Sequence, residues 1–239
     1  MITFDEQQRV FHLKNKEISY LFSVEEGNIL SHLYFGPAIR NYHGERRYPR
    51  VDRGFSGNLP GSMDRTYSKD DLLQEYSGNN TGDYRVPAII IKTENGSRLT
   101  DFRYKSYKIL PGKPKLAGLP ASYIKSDKEA ETLEVTLVDE TIGAQLILSY
   151  TIYNERPVIT RNARLVNTSN QELRIEKIAS VQLDLTKHDY DVISVPGQYA
   201  LERQPERQEL RRGITEFSSR RNSSSHHMNP FVALVDKNT

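Results

Sequence analysis

The chain has 239 residues, with 33 Lys and Arg against 31 Asp and Glu, 14 tyrosines, no tryptophan and no cysteine. That length can bury a substantial core as one large all-β domain or two small ones, and a net charge of +2 supplies no field that argues for nucleic acid or an anionic membrane. Without cysteine there is neither a disulfide scaffold nor a thiolate metal site, which fits a reducing compartment.

The N-terminus, Met1-Ile-Thr-Phe-Asp-Glu6, has no basic stretch followed by an apolar one, and no run approaches the roughly 18 apolar residues of a membrane span. The expectation is a cytoplasmic protein with no membrane partner. Val10-Phe-His-Leu13, Ile18-Ser-Tyr-Leu-Phe22, Ile29-Leu-Ser-His-Leu-Tyr-Phe35 and Ala88-Ile-Ile-Ile-Lys92 are β-branched or aromatic runs broken by Gly, Asn and charged pairs, and read as short strands. Between them, residues 36 to 86 are rich in Gly, Pro, Asn, Asp and Arg. A structureless stretch of about fifty residues is uncommon in a compact domain and is usually functional or disordered; its aromatic content points to order. Ser68-Lys-Asp-Asp-Leu-Leu-Gln74 offers an N-cap and acidic first-turn residues for one short helix.

Further along, Leu133, Val135 and Leu137 share one face, as do Leu146, Leu148, Tyr150 and Ile152, the period of half-buried strands. Ala163 and Leu165 begin another strand. Ala179, Val181, Leu183 and Leu185 predict one more after the turn-like Asn167-Thr-Ser-Asn-Gln171, as a hairpin or a connection between sheets. Residues 196 to 230 are strongly polar and do not read as strands. Phe231-Val-Ala-Leu-Val235 starts a strand pattern that stops at Asp-Lys-Asn-Thr239, as expected of a piece of a longer protein. Short strands without long helical patterns between them predict antiparallel sheets packed face to face, a large all-β sandwich.

Three segments could carry chemistry. Pro49-Arg-Val-Asp-Arg-Gly-Phe-Ser56 and Asn58-Leu-Pro-Gly-Ser-Met-Asp-Arg65 mix carboxylates and guanidinium groups, which grip vicinal sugar hydroxyls when turns fix their direction. Spacing alone reads more simply as ion pairs, Asp52 with Arg53 and Asp64 with Arg65, that organise the loop. Asp52 and Asp64 as a glycosidase pair are rejected, because acidic residues are common in ordered loops and spacing does not measure the gap. Ser225-His-His-Met-Asn-Pro-Phe231 places His226 beside His227, but on a strand they face opposite ways with no further ligand at metal spacing, so no metal site is expected. Tyr190 to Arg203 reads as a strand running into a Pro-Gly turn that presents Tyr199, to stack on a pyranose or to pack on its neighbours.

Asp52-Arg-Gly-Phe-Ser56 with Asp64-Arg-Thr-Tyr-Ser68, Leu73-Gln-Glu-Tyr76 followed by Gly82-Asp-Tyr-Arg-Val-Pro-Ala88, and Ser225-His-His-Met-Asn-Pro-Phe231 together resemble the N-terminal domain of bacterial α-galactosidases of glycoside hydrolase family 36. Asp101-Phe-Arg-Tyr-Lys-Ser106, Gly112-Lys-Pro-Lys-Leu-Ala-Gly-Leu-Pro-Ala121 and Glu129-Ala-Glu-Thr-Leu133 extend the resemblance in order along nearly the whole chain. It implies that residues 1–239 belong to one β-supersandwich domain, galactose mutarotase-like, with long ordered loops and at most one or two short helices. A catalytic (β/α)8 barrel and a smaller C-terminal β domain would lie outside these residues. It also implies retaining hydrolysis of terminal α-linked galactose from oligosaccharides such as melibiose and raffinose, by two barrel aspartates acting as nucleophile and acid/base. Residues 1–239 hold no counterpart of either, so no catalytic residue is assigned, and no cofactor is implied. By position Asp52 matches a sugar-binding aspartate and Arg65 an arginine close to it. Tyr199 falls where many relatives place a tryptophan that walls the pocket, and the smaller ring changes that wall. The implied partners are α-galactoside oligosaccharides and other copies of the same chain, as a tetramer of the full-length enzyme. The alternative reading is a self-contained carbohydrate-binding module without a catalytic role.

Overall fold

The computed structural model describes residues 1–44, 48–52, 54, 57–79, 82–118, 120–187 and 189–238. They form two compact units, Met1–Asp184 and Leu185–Thr239. Helical structure among the described residues is confined to three single 3₁₀ turns, Glu26–Asn28, Lys69–Asp71 and Asp127–Glu129, and no helix is long and apolar enough to cross a membrane.

In the first unit β1 (Ile2–Asp5), β2 (Val10–Lys14), β3 (Ile18–Val24) and β4 (Leu30–Pro37) make one antiparallel meander. A second meander runs β6 (Arg103–Pro111), β7 (Ala130–Asp139), β8 (Ala144–Tyr153) and β9 (Ile159–Asn167). The alternation in β7 and β8 puts Leu133, Val135, Leu146, Leu148 and Tyr150 on one face, buried against Phe11, Leu13, Tyr20 and Phe22 of the first sheet. Phe22 stacks on Tyr150 with ring centroids 5.0 Å apart. Each of these side chains contributes about 1.5–3 kcal/mol by leaving water, so the two facing sheets are the main source of the unit's stability. The all-β antiparallel sandwich is thus present. A two-stranded ribbon of β5 (Ile89–Thr93) and β10 (Leu173–Ile178) adds Ile89 and Ile91 to the same core.

One expected strand is corrected. After β9 the chain crosses to another sheet, but the strand is β10 at Leu173–Ile178, and residues 179–185 form none. Their alternate polar side chains hold the long loop instead: Gln182 Oε1 accepts from the Ser77 amide (2.7 Å) and hydroxyl (2.8 Å), and Asp184 Oδ2 accepts from the Gln74 amide (2.8 Å). Val181 stays 52% exposed. The turn at Lys69–Asp71 replaces the expected helix, and the hydroxyl of Ser68, inside the loop, donates to the Gly82 carbonyl (3.5 Å) rather than capping.

The second unit is a three-stranded antiparallel sheet in the order β12 (Glu206–Glu209), β11 (Tyr190–Pro196), β13 (Met228–Asp236). The fully exposed β12 lies inside the polar stretch expected to lack strands. Its partner is fixed by charge, Arg207 Nε to Asp191 Oδ2 at 2.7 Å, rather than by an apolar face.

Candidate functional site

The long loop of the first unit is held by a small core and a charge relay. Ile29, Leu59, Tyr67 and Leu72 are buried together, with Tyr48 packed on them. The Arg50 guanidinium lies 4.5 Å from the Tyr67 ring centroid, donates to Glu26 Oε2 (2.9 Å) and to Asp64 Oδ2 (3.0 Å), and so ties two turns of the loop to residues 26–28. Asp64 Oδ1 accepts the Thr66 amide (2.8 Å) and hydroxyl (2.6 Å). Those Thr66 bonds, with Arg50, lower its carboxyl below the ordinary value. Both oxygens of Asp64 are therefore occupied within the loop.

Asp52 is arranged differently. Its Oδ1 accepts the Gly54 amide at 3.0 Å and lies 3.2 Å from the Arg65 guanidinium, with both side chains about half exposed. Gly54 adopts φ +66°, the left-handed region in which glycine carries no Cβ penalty, and this closes the turn that aims the carboxylate. Among the described residues nothing bonds to Asp52 Oδ2, and Asp52 is the sole partner of Arg65. A fixed carboxylate with one open oxygen beside a guanidinium with open N–H groups is the acceptor and donor pair that grips neighbouring hydroxyls. The pairing expected from spacing is thus corrected for Asp64, which pairs with Arg50 and not Arg65, because the loop folds back on itself. Arg53, the expected partner of Asp52, lies outside the described residues, as do Phe55 and Ser56.

In the second unit, β11 leads into a tight turn in which Gln198 and Leu201 exchange backbone hydrogen bonds of 3.1 and 2.9 Å. Gly197 is needed there, since a Cβ would come within 2.7 Å of the Leu201 carbonyl oxygen and 2.8 Å of Glu202 Cα. Tyr199 stands at the tip, 84% exposed, so its ring is presented rather than packed. A cavity of about 570 Å³ in the same unit is lined by Glu202, Arg203, Ser225, His226 and Asn229, among others. His226 and His227 occupy a turn, not a strand, and their rings face each other at 4.2 Å. Among the described residues no three His, Asp or Glu side chains gather to hold a metal.

Spacing gave no sign of the polar cluster inside the sandwich. Glu75, with no exposed surface, takes Arg161 (2.7 Å), the Tyr20 hydroxyl (2.6 Å) and the Tyr150 hydroxyl (3.0 Å) on Oε1, and His32 Nδ1 lies 3.4 Å from Oε2. Burial pushes the Glu75 carboxyl up, but Arg161, His32 and Tyr20 together outweigh it and leave it below its ordinary value. Arg85 plays a similar role in the loop, bridging Asp83 (2.7 Å) and Asp184 while donating to the Lys69 (3.0 Å) and Leu72 (2.8 Å) carbonyls.

The family model for the glycosyl hydrolase family 36 N-terminal domain matches residues 28–239. The chain belongs to that family. Over its whole length it is 51% identical to Alpha-galactosidase 1 of Pediococcus pentosaceus and 52% identical to Alpha-galactosidase Mel36A of Lactobacillus acidophilus, and it spans 33% of each. The crystal structure of the family 36 α-galactosidase AgaB from Geobacillus stearothermophilus superposes with a TM-score of 0.94 at 43% identity, covering 100% of this chain and 32% of that one. A variant of AgaA from the same organism, crystallised with raffinose, matches at a TM-score of 0.92 and 45% identity over 96% of this chain and 32% of its own. The chain thus spans about a third of the length of its family 36 relatives.

Proposed function

We propose that this chain is the N-terminal part of an α-galactosidase and that it shapes the sugar pocket without performing the bond cleavage. The observation that carries this reading is the Asp52 Oδ2, which has no partner among the described residues, held by the Gly54 turn beside Arg65 N–H groups that likewise have none there. Asp52 accepts from one galactosyl hydroxyl and Arg65 donates to a neighbouring oxygen; the second unit by itself offers the exposed Tyr199 ring as an apolar face for a sugar. The substrates are α-galactosides such as melibiose and raffinose, and support comes from relatives named as α-galactosidases and from a neighbour crystallised with raffinose. Residues 1–239 act as one supersandwich domain of the full-length protein. The two carboxylates of a retaining mechanism belong to a barrel outside them, and the full-length protein works in the cytoplasm as a homo-oligomer, a tetramer.

The test is release of galactose from raffinose by the full-length protein and by the 239-residue chain side by side. Hydrolysis by the former and none by the latter is the expected result. Turnover by the 239-residue chain alone, or none by the full-length protein, overturns the proposal.

A further inference from the structure

The outer face of the second sheet carries a cavity that the reading above does not use. Residues alternate with the core positions, so two rows of polar side chains cross three strands in register: Thr132, Thr151 and Thr160, then Glu134, Ser149 and Asn162. Residues 112–118 and 120–122 arch over them. Gly112 starts the arch at φ +69°, its carbonyl accepting from the Thr132 hydroxyl (2.7 Å), and a Cβ there would lie 2.5 Å from Asp127 Oδ1. At the far side Ser122 receives the Tyr153 hydroxyl (2.8 Å). Between these anchors a space of about 630 Å³ remains, within the range of small-molecule sites.

Its walls differ in kind. The arch contributes Pro114, Leu116 and Pro120, an apolar wall. The floor contributes Thr160 and Asn162, whose side chains make no hydrogen bond among the described residues. Lys113, Lys115 and Arg164 also line the space with no carboxylate partner among the described residues. The one carboxylate there, Glu134, is already neutralised by Lys108 at 2.8 Å. Arg161 is engaged by Glu75. What is left over is three cations, a hydroxyl and an amide opposite an apolar surface.

We propose that this cavity binds a small sugar or polyol bearing one anionic group, a phosphate ester or a carboxylate. The anion sits among Lys113, Lys115 and Arg164, the hydroxyls meet Thr160 and Asn162, and the C–H face lies on Pro114 and Leu116. Neutral α-galactosides leave the three cations without a counter-charge, so they are not the ligand.

Titration calorimetry of the chain with glucose 6-phosphate, glucuronate, inorganic phosphate and galactose tests this. At least one of the first two binds saturably and at least tenfold more tightly than galactose, and inorganic phosphate competes more weakly. Which of the two binds better identifies the anion as phosphate or carboxylate. Arg164→Ala and Lys113→Ala each weaken binding about tenfold, the size of one charge-assisted hydrogen bond, and raised salt weakens it further. Neither side chain has a partner among the described residues, so both variants keep the parent melting temperature. No saturable binding of either anionic sugar, galactose binding as tightly, phosphate alone binding as tightly, or affinity unchanged in both variants would each overturn the proposal.

Discussion

Replacing Glu75 by glutamine keeps the shape of the side chain and removes its charge. The amide oxygen can still accept from Tyr20 and Tyr150, but Arg161, whose side chain is 8% exposed, loses its counter-ion inside the sandwich. Breaking a buried pair from one side costs about 3–5 kcal/mol, because the remaining charge is left uncompensated. Arg161 keeps the Gln182 carbonyl at 2.6 Å and the Tyr150 hydroxyl at 3.2 Å, which places the expected loss at the lower end, about 3 kcal/mol. For a chain of this size that lowers the melting temperature by roughly 6–12 °C. Urea unfolding followed in the tyrosine near-ultraviolet band reads the core directly, since there is no tryptophan and Tyr20 and Tyr150 sit against the carboxylate. In the double variant Glu75→Gln with Arg161→Met, the loss should fall short of the sum of the singles by about 2 kcal/mol. A Glu75→Gln loss below about 1 kcal/mol, or strict additivity, would refute the reasoning.

Acidification has a defined sign. Burial first, then Lys14 and the N-terminal ammonium, hold the His12 imidazole down at about 4 against 6.5 for an unperturbed one. Between those values the unfolded chain takes up a proton that the folded chain refuses, so stability falls as pH drops from 6.5 towards 4, by at most about 3 kcal/mol. Glu75, whose folded pKa is depressed, adds stability present above its ordinary 4.5 and lost as pH falls below it. Melting curves from pH 8 to 4 should show the decline, with its upper part flattened in His12→Gln; an unchanged slope in that variant counts against the assignment. Tyr199→Ala in the full-length protein should raise KM for raffinose several-fold and leave the melting temperature within about 1 °C, since an 84% exposed ring contributes little to packing. Equal kinetics for parent and variant would remove Tyr199 from the pocket.

Periodicity located β7 and β8 because both bury one face along ten residues. It missed β6, an edge strand whose phase is broken by a bulge between Tyr104 and Ser106 and whose middle is exposed, so apolar residues do not alternate along it. It missed β12 because Glu-Arg-Gln-Glu faces water on both sides. In 179–185 it took a true alternation for a strand, although the polar members were anchoring a loop. Resemblance singled out Asp52, but no pattern in the sequence distinguished its surroundings from those of Asp64, since both are loop aspartates next to an arginine. The fold separates them by saturating Asp64 with Thr66 and Arg50. Glu75 and Arg161 are 86 residues apart, and no local pattern pairs them.

Kinetics with melting curves for Asp52→Ala and Asp64→Ala in the full-length protein test the proposed division of labour between the two loop aspartates. Asp52→Ala should lower kcat/KM for raffinose by roughly 10- to 100-fold, the worth of a charge-assisted hydrogen bond, without lowering the melting temperature. Asp64→Ala should lower the melting temperature, because it strips Thr66 and Arg50 of their partner. Full activity in Asp52→Ala, or the same loss of both activity and stability in the two variants, would contradict it.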